Sequence, residues 1–263
     1  MVVKKVTFTK RLIAVFGWFN REFGRVVRLW NQVILGPFVE GILMIILFNI
    51  FASVNSYKSH GDINFISSLF GGVVAMMSTR NAFQAASSPL VIAKMIGYTT
   101  DYTALPFAVN NLRISMILSS IIRCAAITFC CLAVMPLFKV KIIHFWTLLL
   151  ITSLTAINFG LIGLITGTIC STFEQSSTVN SYIITPLSML SGTFVSIQQL
   201  PVIFHKIAPF NPFVYSVDLT RYCFTDTSFL GLGFGLAIFF IMTIVLWVIA
   251  GFFVKSFVRG RLG

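Results

Sequence analysis

The 263-residue chain is 57% hydrophobic and only 10% charged, with a mean hydropathy of +0.94, against roughly 25% charged residues in a soluble domain. That balance excludes a water-soluble enzyme or binding module and marks an integral membrane protein. The formal charge of +12 is not gathered on a soluble domain, so it points to an anionic lipid surface and not to nucleic acid.

Residues 1–32 predict a basic amphipathic helix. At about 100° per residue, Phe8, Leu12, Phe16, Phe19, Phe23, Val27 and Trp30 share one arc, while Lys10, Arg21, Arg25 and Arg28 lie opposite. Such a helix rests in the membrane interface, apolar face in the acyl boundary and basic face toward the headgroups. The stretch "LIAVFGWF" is short and runs straight into "NREFGRVVR", which does not read as a cleavable signal.

A helix needs about 20 apolar residues to cross a hydrocarbon core of roughly 30 Å. Six runs meet that length: Val33–Val54, Phe65–Ser87, Ile114–Leu137, Ile143–Ile169, Thr178–Ser196 and Phe229–Val254. They are continuous, whereas a closed barrel would show short alternating segments. The expected fold class is therefore an all-α membrane protein in one domain over 1–263, with a helix over 1–32, six spans over 33–254 and a tail over 255–263. Lys4, Lys5, Lys10, Arg11, Arg21, Arg25, Arg28, Lys94, Arg113, Lys255, Arg259 and Arg261 fall on one side of this topology, against Lys58, Lys139, Lys141, Lys206 and Arg221 on the other. The positive-inside rule then puts both termini in the cytoplasm.

Within the spans, charges are the first candidates for function, because each costs about 3 kcal/mol or more unless paired or wet. Glu40 and Arg80 are expected at similar depth on antiparallel neighbours and could pair. Arg123 could compete for the same carboxylate or line a wet cavity. The pair can serve helix packing or line a transport path. Gly163 and Gly167 form a GxxxG pair, and "GLGFG" over 231–235 likewise suggests close helix approach. Cys124, Cys130, Cys131, Cys170 and Cys223 show no metal or disulfide pattern, and His60, His144 and His205 lie in loops away from metal-ligand spacing. The chain has no GxxxxGK[ST], HExxH or GxSxG motif, so no nucleotide hydrolysis or other enzyme activity of its own is expected.

Two connecting segments stand out. The loop "GYTTDYTALPFAVNNLR" after the second run offers helix caps at Thr99, Thr100 and Asp101 and a break at Pro106, consistent with a short helix on the cytoplasmic face. There Tyr102, Leu105 and Phe107 would form an exposed apolar patch of the kind that docks a partner. The segment "QQLPVIFHKIAPFNPFVYSVDLTR", 198–221, packs three prolines, a His, a Lys, an Asp and an Arg between two apolar runs.

The longer stretch "PLSMLSGTFVSIQQLPVIFHKIAPFNPFVYSVDLTR", Pro186 to Arg221, resembles the signature region of ABC-2 type transporter permeases. Its marks are a "P...LSG.F" span, an "LP" turn and an "IA..NP..Y..D..R" run, and the length and topology of the whole chain agree. The resemblance implies a re-entrant helical hairpin between spans five and six that closes the outer end of a pathway. Pro201, Phe204, Pro209, Asn211, Pro212, Tyr215, Asp218 and Arg221 would form that gate. Pro201, Pro209 and Pro212 suit the ends of short helices, and Phe204, Ile207, Phe210, Phe213 and Tyr215 would face lipid or a second protomer. Asp218 and Arg221 could pair on one helical face.

The resemblance further implies a homodimer over two copies of a separate ABC ATPase subunit in the bacterial inner membrane. Thr100, Asp101, Tyr102, Thr103, Leu105 and Pro106 would form the coupling helix. ATP and Mg would bind the ATPase, with no cofactor on this chain, and the exported substrate would be amphipathic: a drug, a lipid or a glycan. An ion-coupled secondary transporter is the alternative; repeated halves, its usual sign, are not apparent.

Overall fold

The computed structural model describes residues 16–17, 20, 23–24, 27–28, 30–54, 63–97, 108–194 and 202–259. Among them there is no strand. The helices are α1 (Gly36–Val54), α2 (Ile63–Ile96), α3 (Ala108–Val134), α4 (Phe145–Ile169), α5 (Phe173–Val179), α6 (Thr185–Met189), α7 (Val202–Ile207), α8 (Pro212–Thr225) and α9 (Leu232–Val258). The described residues of the N-terminal amphipathic segment are helical, and Phe16, Phe23, Val27 and Trp30 of its apolar arc are exposed.

Among the described residues, three helical stretches are long and apolar enough to cross a membrane by length and composition: Val109–Phe138, Phe145–Ile169 and Leu232–Val258. The run expected at 65–87 lies in α2, which is longer than foreseen but carries Ser67, Ser78, Thr79, Arg80, Asn81 and Ser87. Most of these are buried, so α2 is an inner helix; Thr79 and Asn81 donate back to its own Met76 and Met77 carbonyls, and Ser78 meets Thr128 of α3 at 3.5 Å. The fifth expected run, 178–196, is displaced. Its helix already begins at Phe173 and stops at Met189, beyond which Gly192 turns the chain at φ +83°.

Proline shapes two helix entries in the same way. A π-helical turn over Asn31–Leu35 precedes Pro37, and another over Asn180–Ile184 precedes Pro186. In each, the residue before the proline donates its N–H back to the asparagine carbonyl, Gly36 to Asn31 and Thr185 to Asn180. Proline lacks that donor and crowds the preceding turn, and the widened turn accommodates it.

The core is built around α2 and α4. Across the best apolar window 67% of α4 is buried, against 17% for α9, so α4 is central and α9 peripheral. The two inner helices approach closely because α4 carries Gly163 and Gly167: a Cβ on Gly163 would meet the Phe83 carbonyl oxygen at 2.2 Å, and one on Gly167 the Ser87 carbonyl oxygen at 3.0 Å. Leu69, Phe70, Val73, Ile151, Phe159, Phe213 and Phe239 fill the space between α2, α4, α8 and α9. For "GLGFG" the expectation of close approach holds at Gly235, whose Cβ would lie 3.1 Å from Leu219. Gly231 and Gly233 have no neighbour within 4 Å.

Candidate functional site

At one end of the bundle, α7 and α8 fold into a short helical pair whose polar side chains hold the surrounding backbone. Asn211 caps α8 by accepting from the Phe213 N–H at 3.0 Å, and its amide donates to the Leu187 carbonyl at 2.8 Å. Pro212 takes the first helical position, where no N–H is needed. The Tyr215 hydroxyl donates to the Pro209 carbonyl at 2.8 Å, closing the turn between the two helices.

Asp218 accepts from Ser228 Oγ at 2.7 Å, from the Phe229 N–H at 2.8 Å and from the Leu230 N–H at 3.1 Å. It anchors the segment that enters α9. Arg221, 4% exposed, donates to the carbonyls of Ser68 on α2 (3.4 Å), Gly192 and Thr193 (3.5 Å). Gly71 and Gly72 make room for this contact: a Cβ on Gly72 would sit 2.0 Å from the Thr193 carbonyl oxygen.

This arrangement corrects two expectations. Asp218 and Arg221 do not pair with each other; each binds backbone groups of a different loop, because carbonyls and N–H groups remote from water must find partners. Phe213 and Tyr215 do not face lipid either. They are 1% and 5% exposed, since α8 lies against α2 and α4 and Phe213 meets the Phe159 ring at 4.4 Å. Ile207 and Phe210 are the exposed apolar residues here. Pro201 and the Phe204 side chain lie outside the described residues, as do Thr100, Asp101, Tyr102, Thr103, Leu105 and Pro106.

Glu40 on α1 and Arg80 on α2 form an ion pair with Nη1···Oε1 at 2.5 Å. The pair lines a cavity of about 60 Å³ with Pro37, Met77, Asn81 and Gln84. Arg123 is buried in α3.

Sequence reasoning missed three contacts. At the far end of α2, Lys94 donates to the Thr168 and Cys170 carbonyls at 2.7 and 3.1 Å and lies over the Phe257 ring, tying the last turn of α4 to α9. Arg113 donates to the Trp247 carbonyl at 2.9 Å and stacks on its ring. His144, just before α4, meets Asp226 at 3.0 Å and stacks on Tyr222, and its backbone N–H and that of Ile143 donate to the Cys223 carbonyl. The hydrogen bond from His144, with a second from Tyr222, holds the Asp226 carboxyl below the usual range. The Glu40–Arg80 pair and the run of Asn, Tyr, Asp and Arg at fixed spacing were visible without tertiary contacts.

The sequence of this bundle matches the family model described as ABC-2 type transporter over residues 14–225. The chain belongs to the ABC-2 type transporter family. It is similar to the inner membrane transport permease YadH of Escherichia coli strain K12, with 25% identity over 237 residues, covering 89% of this chain and 92% of that protein. The relative of the same name in Shigella flexneri matches to the same extent. A shorter likeness, 31% over 71 residues and 27% of each chain, links it to Nodulation protein J of Rhizobium leguminosarum bv. viciae. The α7–α8 pair lies within the matched residues, and this ABC-2 chain is a membrane transport permease by family.

Proposed function

We propose that this chain is the pathway-forming subunit of an ATP-driven exporter in a bacterial inner membrane, working as a homodimer on a separate ATPase. The observation that carries the reading is that the family's transporter domain covers 14–225 of a chain with no phosphate-binding loop of its own. Six spans, both termini cytoplasmic, form one domain over 1–263. The interfacial segment at 1–32 and the loop carrying Thr100, Asp101, Tyr102, Thr103, Leu105 and Pro106 meet the ATPase.

On this reading α7 and α8 form the re-entrant gate at the outer end. Arg221 and Asn211 bind it to α2 and to the end of α6, so movement of those helices is transmitted to the gate without remaking hydrogen bonds. Closure of the ATPase pair under the coupling loops tilts the two bundles and opens a path between them. The substrate is amphipathic, since the wall it passes combines exposed apolar residues with the Glu40–Arg80 pair.

The test is capture of any ABC ATPase encoded beside this gene. Tagged wild-type chain in detergent retains it, and Asp101→Lys with Leu105→Asp loses it while remaining a dimer. Failure of the wild type to retain the ATPase, or equal retention by the variant, contradicts the reading.

A further inference from the structure

The Glu40–Arg80 cleft differs from the buried Arg221 site, because its polar groups are left partly unused and open. Arg80 lies near the middle of α2, with more than fifteen residues on either side, about 25 Å of helix. Ionisable groups at such depth are normally buried, paired and fully bonded, or they face water. Here the Glu40 side chain is 44% exposed and that of Arg80 21%. Arg221, by contrast, is buried and satisfied by the carbonyls of Ser68, Gly192 and Thr193.

Among the described residues Arg80 makes one hydrogen bond, Nη1 to Glu40 Oε1, and Gln84, which is exposed, makes none. Asn81 uses its amide nitrogen on the Met77 carbonyl, leaving its amide oxygen. The cleft therefore presents an unused guanidinium edge, an unused carboxylate oxygen and amide groups that can donate and accept. Beside it, Leu35 at the end of the π-helical turn and Val39 and Leu43 on α1 are exposed and apolar.

We propose that this cleft binds the headgroup of the exported amphiphile and selects an uncharged, hydroxyl-rich head such as a sugar or polyol, with the tail along Leu35, Val39 and Leu43. The choice of chemistry follows from charge balance. An anionic head at the free guanidinium edge of Arg80 is repelled by the Glu40 carboxylate beside it, and a cationic head at Glu40 is repelled by the Arg80 guanidinium. An uncharged head meets neither repulsion. Neighbouring hydroxyls donate to the carboxylate and accept from the guanidinium without breaking the pair. The cavity of about 60 Å³ holds roughly two waters' worth of volume, so it takes the edge of one ring rather than a whole oligomer. The inference rests on the transport reading above, but its test needs no ATPase.

The chain in nanodiscs is titrated with octyl glucoside, octyl phosphate and octyltrimethylammonium, each below its micellar concentration, and saturation-transfer NMR reads which ligand protons contact protein. The glucoside's ring protons are expected to be saturated, with affinity at least tenfold above that of either charged probe. Gln84→Leu, at an exposed side chain that holds no other group, and the neutral pair Glu40→Gln with Arg80→Gln should each weaken it at least tenfold, with the thermal midpoint of Gln84→Leu unchanged. Saturation confined to the alkyl tail, equal binding by the variants, or preference for a charged probe overturns the proposal. So does disulfide cross-linking of Gln84→Cys between two copies that glucoside does not slow, because the cleft is then covered by the second protomer. Glucoside binding with no ATPase capture would sink only the coupling reading, and ATPase capture with no glucoside binding would sink only this one.

Discussion

A methyl group on Gly72 would stand 2.0 Å from the carbonyl oxygen of Thr193, the same carbonyl that receives a hydrogen bond from Arg221. The turn after α6, the first third of α2 and helix α8 thus meet at one point, and the absence of a side chain at 72 is what lets them meet. Gly72→Ala must push backbone away from backbone, since no flexible side chain can yield. Overpacking of this kind costs about 1–3 kcal/mol. Gly233→Ala is the control: it has open space around it near the start of α9, and alanine favours a helix over glycine by up to about 1 kcal/mol. Thermal unfolding in detergent should show a clear fall for the first and no fall for the second.

Arg221 is held by geometry as much as by charge. Its Nε and Nη2 reach carbonyls on two segments, from α2 and from the turn at 192–193, which a single ammonium cannot span. Arg221→Lys should therefore be nearly as damaging as Arg221→Met, with a loss of roughly 2–5 kcal/mol as carbonyls and a buried charge lose partners. The readout is the thermal midpoint together with protease sensitivity of the 190–201 segment. A lysine variant that behaves as wild type would contradict this role.

The His144–Asp226 contact gives a pH dependence with a defined sign. Asp226 is fully exposed, and its carboxyl is held below the usual range first by the hydrogen bond from His144 and then by that from Tyr222. A depressed carboxyl contributes stability that is complete above its unfolded value of about 3.9 and is lost as pH falls through the folded value. The difference in thermal midpoint between wild type and Asp226→Asn should thus shrink as pH falls below about pH 4. A difference that grows below about pH 4 would show that the carboxylate is not the stabilised form.

The helical membrane class was legible because composition and continuous apolar runs leave few alternatives, and Gly163 with Gly167 announced the close crossing of α2 and α4. Asn211 and Pro212 stood out through the resemblance, but that Asn211 caps α8 and Pro212 begins it was visible only in the structure. The fate of Asp218 and Arg221 was not legible. Their spacing of three permits an ion pair, but the deciding partners are groups on other segments: the turn before α9 for Asp218, and α2 with the turn at 192–193 for Arg221. Phe213 and Tyr215 misled for a related reason: α8 is enclosed by α2 and α4, and an enclosed helix has no apolar stripe to read. Lys94 with Thr168 and His144 with Asp226 are separated by 74 and 82 residues, and no local pattern links them.

The central claim is that this chain turns a partner's ATP cycle into movement of its own spans. The direct measurement is ATP turnover by the neighbouring ATPase in nanodiscs, alone, with the wild-type chain, and with the chain carrying Asp101→Lys and Leu105→Asp. The account predicts turnover raised at least tenfold by the wild-type chain and returned to the level of the ATPase alone by the variant. Turnover that is the same in all three samples would contradict it.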